Sequence, residues 1–164
     1  MRWSTSKPRS VEVALPTVDG SGWPDEGAVG RPSFESRTFY ELGVRQAYDP
    51  EAHAISARLA DDLLPHVHTG VSAEDEPYLH KVFTTAARIG AGVGMVDRGL
   101  GAPEPGHLDR RIAAALWEAR RKLPVMSPQW ATTAGYFLLA GFHVARTGPP
   151  VVDRLRDGLR SGGD

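Results

Sequence analysis

The stretch from Ser127 to Gly148 constrains this chain more than any other. Both of its ends carry helix punctuation. The Ser127 hydroxyl is placed to accept from the free N–H groups of a first turn. Pro128 falls at the first helical position, where its missing N–H costs nothing. Gly148, with Pro149 and Pro150 behind it, supplies the stop. Between these marks there is almost no polar face, and Leu123 to Ala145 contains no Asp, Glu, Lys or Arg. A helix that is apolar all round is enclosed either by protein or by lipid. The strongly apolar part, Ala134 to Ala145, is shorter than the roughly 20 residues that a bilayer span needs. The sequence therefore predicts helix 127–147 as the buried centre of a small helical domain, and not as a membrane span.

A chain of 164 residues is long enough for one domain. At this length about 70% of the unfolded surface is buried on folding, so a core forms without covalent staples. The absence of cysteine excludes a disulfide scaffold, a thiolate metal site and a cysteine nucleophile. A net charge of −1 provides no bulk field to recruit nucleic acid or anionic lipid. The richness in Ala, Arg, Gly and Pro suits a GC-rich bacterial genome and carries no chemistry. The start, Met1 to Ser10, lacks the apolar run of a signal peptide. A cytoplasmic protein is expected.

Apolar spacing predicts three further main helices and a short one. Asp49-Pro50 opens the first as an N-cap followed by proline, and Ala52, Ile55, Leu59 and Leu63 form its stripe until Pro65 ends it. Ser72 opens the second, with Glu74, Asp75 and Glu76 facing the positive end of the helix dipole. Its stripe runs through Leu79, Val82, Phe83, Ala86 and Val93 to Val96. The third is expected from about Pro105 to Leu123, with Ile112, Ala115, Leu116 and Ala119 on one face and Arg120, Arg121 and Lys122 in the last turn. A short last helix is expected over 150–160. The fold class that follows is all-α: a compact bundle of four main helices plus a short C-terminal one, around the helix 127–147.

Residues 1–48 read differently. Glycine and proline punctuate them, and they are expected to be a mostly irregular N-terminal arm ahead of a helical domain spanning 49–164. One alternation predicts a short strand over 10–15, with Val11, Val13 and Leu15 on one side. A lone strand cannot satisfy its backbone and must pair with a second strand, a symmetry mate or a partner. Trp23, Phe34, Phe39 and Tyr40 make the segment more aromatic than a linker. Two readings stand: an arm that lies on the body or reaches a partner, or, for residues 1–30, a disordered tail.

Three clusters could carry chemistry. His66 and His68, with Asp62 a turn earlier, have ligand types that suit zinc or iron, yet Pro65 interrupts the helix between them and no complete metal-ligand spacing is present. The plainer reading is a solvated turn that contains histidines. His143 sits in the most apolar stretch, with Tyr136 two turns earlier and Trp130 beyond it. It is either a hydrogen-bonded core histidine or one wall of a ligand slot. The third cluster is the glycines between Ile89 and Met95. They fall inside a helical pattern with no lysine behind them, which argues against a phosphate loop. Ala86, Gly90 and Gly94 share one row, where a neighbouring helix could approach closely. Each glycine costs about 1 kcal/mol in a helix relative to alanine, so close packing should offset it.

Charge is uneven along the chain. Residues 51–80 hold acids at Glu51, Asp61, Asp62, Glu74, Asp75 and Glu76 against the single base Arg58, whereas residues 81–164 carry an excess of bases. Such a split could favour head-to-tail association or a charged partner, though solvated helix faces are the ordinary case. No nucleophile elbow or catalytic carboxylate set is present. No cofactor is expected, and nothing in the pattern supports nucleic-acid binding. The sequence points to a small non-enzymatic interaction subunit or adaptor, its N-terminal arm (Val11, Val13, Leu15) serving a partner protein or self-association. The alternative is a helical small-molecule-binding or catalytic domain, with an apolar pocket formed by His143, Tyr136, Trp130, Gly90 and Gly94.

Overall fold

The computed structural model describes residues 12–14, 34–67, 70–99, 107–124 and 127–147. They form five helices and a two-stranded ribbon. In chain order these are β1 (Glu12–Ala14), α1 (Phe34–Gln46), α2 (Pro50–Leu63), α3 (Glu76–Gly99), β2 (His107–Asp109), α4 (Arg110–Lys122) and α5 (Pro128–Thr147). The all-α bundle expected from the sequence is the fold. The short helix expected over 150–160 lies outside the described residues. Among the described residues, no helix is long and apolar enough to cross a membrane.

Local rules account for most of the elements. The Asp49 carboxylate accepts from the backbone N–H of Glu51 at 2.8 Å, and Pro50 begins α2 as the sequence predicts. Ala52, Ser56, Leu59 and Leu63 form the buried face of α2. Ahead of α3, the Ser72 carbonyl accepts from the N–H groups of Asp75 and Glu76, so a turn precedes the helix and moves its start to Glu76. α4 starts at Arg110, later than expected, because His107–Asp109 is extended and pairs with β1. The register sets Glu12 against Asp109, Val13 against Leu108 and Ala14 against His107, antiparallel. The strand signal around Val13 therefore finds its second strand within the same chain.

α1 corrects the expectation of an irregular arm up to residue 48. Its inner face consists of Ser36, Gly43 and the following Ala47, all buried, with Phe39 and Tyr40 packed against the core. Small residues leave no apolar periodicity to read, and Gly43 looks like a loop residue. The helix exists because its smooth face fits α3 closely. A Cβ on Gly43 would come within 2.5 Å of Val93 Cγ2, and one on Gly92 would overlap the Gly43 carbonyl oxygen.

The hub is also displaced. α5 is enclosed from residue 134 to 145, as its composition demands. Yet it is α3 that touches each of the other four helices. α3 and α5 run parallel. Phe83 stacks on Phe137 toward one end, with ring centroids 5.4 Å apart. Asp97 meets Arg146 at the other. α4 supplies the return path between them, since the Tyr78 hydroxyl in the first turn of α3 donates to the carbonyl of Pro124, just past α4, at 3.4 Å. At this end Lys122 pairs with Glu118 of its own helix at 3.2 Å.

Candidate functional site

The region between α3 and α5 was the expected pocket, and the glycine row there faces protein backbone. A Cβ on Gly90 would overlap the Leu138 carbonyl oxygen, and one on Gly94 would lie 2.6 Å from the Phe142 carbonyl oxygen. From the other side, a Cβ on Gly141 would overlap the Ala87 carbonyl oxygen. These glycines let two helix backbones touch, so the gap that a side chain would have filled is occupied by the opposing helix. Close packing was the sequence-based explanation for the row, and it is what the geometry displays.

The other residues of the expected pocket are distributed along α5. Tyr136 is buried in the main core, with its ring edge-on to that of Phe137 at 6.2 Å. His143 is 8% exposed and lies edge-on to Phe142, at 5.7 Å between centroids. Trp130 is partly buried against the core, a turn and a half before Tyr136. His66 closes the 3-10 turn after α2, and Asp62 lies in the last turn of that helix; both are half-buried. His68 lies outside the described residues, as do Val11 and Leu15 of the expected partner-binding arm. Among the described residues, no group of three or more His, Asp or Glu side chains is arranged to hold a metal ion.

The most concentrated polar chemistry is at the far end of the α3–α5 pair, where the sequence reading did not look. The Nε of Arg146 lies 3.2 Å from Oδ2 of Asp97, and both side chains are only 4% exposed. Beside them, Arg98 grips Glu51 of α2 through two hydrogen bonds, at 2.7 and 3.1 Å, and donates to the carbonyl of Ala145 at 3.1 Å. Three helices thus meet through two ion pairs of opposite character. The Arg98–Glu51 pair is half-exposed. The hydrogen bond from Arg98 holds the Glu51 carboxyl below its ordinary value, and the same bond raises Arg98. Arg98 and Arg146 also sit near the C-terminal ends of α3 and α5, where a cation suits the helix dipole.

One sequence signal could have revealed the buried pair. Asp97 continues the enclosed row that runs through Phe83, Gly90 and Gly94, and an acid on such a row requires a cation from the facing helix. Arg146 is the sole Asp, Glu, Lys or Arg in α5.

A second grouping lies where α1 crosses α4. The Arg111 guanidinium is 5.2 Å from the Phe39 ring centroid and the Lys122 ammonium is 4.5 Å from that of Tyr40. On α4 itself, Arg120 lies over Trp117 at 5.5 Å, and burial pulls its guanidinium below its ordinary value. Much of the basic stripe of α4 therefore covers aromatic rings of this same bundle. Compared with family models, with curated proteins and with solved structures, the chain matches none of them.

Proposed function

We propose that this protein is a small non-enzymatic interaction subunit, an adaptor, that meets another protein or a second copy of itself through its N-terminal segment and α1. One observation carries the reading. The exposed large apolar side chains among the described residues are Phe34 (82%), Tyr48 (71%), Tyr78 and Leu42 (37%), and three of these four belong to α1 or the turn after it. Tyr78 is tied to Pro124 by its hydroxyl. Phe34 and Leu42 stand on the outer side of α1, opposite Ser36 and Gly43. Single exposed apolar residues are ordinary, but several on one short element are the usual beginning of a contact surface.

The experiment compares native mass spectra of the full chain purified from its own host, of a chain lacking residues 1–30, and of the triple variant F34S/L42S/Y48S. The expected result is a hetero- or homo-oligomer mass for the full chain that both altered chains lose while keeping the helical circular dichroism of the parent. A complex that survives both changes would refute the proposal. A monomer carrying a small-molecule adduct that leaves on denaturation would favour the ligand-binding alternative.

A further inference from the structure

The outward face of α1 repeats in steps of four, three, four and three residues: Phe34, Thr38, Glu41, Arg45 and, just past the helix, Tyr48. That is the spacing of a seam along which two helices pack side by side. It lies opposite Ser36, Gly43 and Ala47, the buried small residues that α1 turns to the rest of the fold. Phe34 is 82% exposed, and Glu41, Arg45 and the flanking Arg37 are exposed as well. Among the described residues these three charged side chains make no ion pair, although Glu41 has a base four positions away on either side. On the inner side of the same helix, by contrast, Phe39 and Tyr40 each take a cation from α4.

A second copy of α1 supplies what the outward face lacks. In an antiparallel pair about a twofold axis every contact occurs twice, with the two residues exchanged between the copies. An axis passing between residues 39 and 40 sets Phe34 against the partner's Arg45 and Thr38 against the partner's Glu41. Glu41 then also lies beside the partner's Arg37. The exposed ring gains a cation over its face, and the unpaired acid gains a base from the other chain. A parallel pair would instead set Glu41 on Glu41 and Arg45 on Arg45, like charge on like. An antiparallel pair moved one heptad along, with its axis at Gly43, would carry Phe34 past the end of the partner's α1. We propose that α1 drives a weak, antiparallel, twofold self-association of this chain. The proposal rests on α1 being the contact surface, as above, and names the partner as a second copy. A helix of 13 residues is only about 20 Å long, so the contact belongs to the weak, transient class of interfaces.

The test is sedimentation velocity of the purified full chain from about 10 μM to about 1 mM, the range of such weak contacts, beside the variants E41R and R37E. The parent is expected to form a dimer as its concentration rises. Each variant alone sets like charges against each other across the axis and should dimerise about tenfold more weakly or less. An equimolar mixture of the two should recover the dimer, because Arg37 of one chain then faces an acid at 41 and the arginine introduced at 41 faces an acid at 37. Only a meeting of these positions between chains produces that recovery; a change within one helix does not. Circular dichroism of both variants should match the parent, since the substituted side chains are exposed. A mixture that stays monomeric, or a dimer that both variants retain, would overturn the inference. So would a parent that is monomeric throughout, and a hetero-oligomer mass in the native spectrum would then leave the proposed adaptor role standing without self-association.

Discussion

α5 and α1 sit on nearly opposite faces of α3, and both reach its backbone through glycine. On the α5 side the contact uses Gly90, Gly94 and Gly141. On the α1 side it uses Gly43 and Gly92. The outcomes differ because the helices differ elsewhere. α5 is enclosed over 134–145 and anchored at one end by an aromatic stack and at the other by a buried ion pair. α1 buries one small-residue face and leaves Phe34 and Leu42 in solvent. The same device of close approach makes a permanent core in one case and an attached outer helix in the other. Close backbone contact alone does not decide whether an element belongs to the interior; the remainder of its circumference does.

The largest expected effect is at the α5 face. Gly90→Ala forces a methyl group into the Leu138 carbonyl, which is backbone and cannot rotate aside. We expect a loss of about 3 kcal/mol or more, measured by urea unfolding, because overpacking against main chain moves whole helices. Gly92→Ala makes the equivalent intrusion on the α1 face, against the Gly43 carbonyl. There the outer helix can lift, so a smaller loss of about 2 kcal/mol is expected, together with new proteolytic cleavage within residues 34–48. Equal losses and no new cleavage would show that α1 is as integral as α5.

Smaller effects test the end where α2 meets this pair. Asp49→Ala removes the carboxylate that accepts from Glu51 N–H at 2.8 Å. The expected loss is about 1 kcal/mol, typical of an N-cap. Glu51→Gln breaks the bidentate pair with Arg98, whose partners are 46% and 43% exposed. Solvent screening limits that pair to a few tenths of a kcal/mol. Its pH dependence has a definite sign. The Glu51 carboxyl is lowered in the folded state by the Arg98 hydrogen bond, so its contribution is present above the unfolded carboxylate value. It is lost as pH falls through the folded value. The variant should show a shallower acid limb in a plot of melting temperature against pH, and an identical limb would show that the pair adds nothing measurable.

The helices of 50–147 were largely legible because their buried faces repeat apolar residues with helical period and their ends carry caps. α1 was not, since its inner face of Ser36, Gly43 and Ala47 has the size required by α3 but no hydrophobic signature. The glycine row at 90 and 94 was legible as a close approach, because a glycine inside a strong helical pattern needs a packing reason. Asp97 and Arg146 were not paired in advance, because 49 positions separate them and only the parallel course of α3 and α5 brings them together.

The sequence by itself determined the all-α class, the cap at Asp49, and the burial of 134–145, because capping and apolar period act within a few neighbouring residues. Tertiary structure alone decided that α3 is the hub, that residues 34–46 form a helix, and that β1 pairs with β2 inside the chain. Each of these depends on surfaces distant in sequence fitting one another, and neither local propensity nor charge order along the chain encodes that fit.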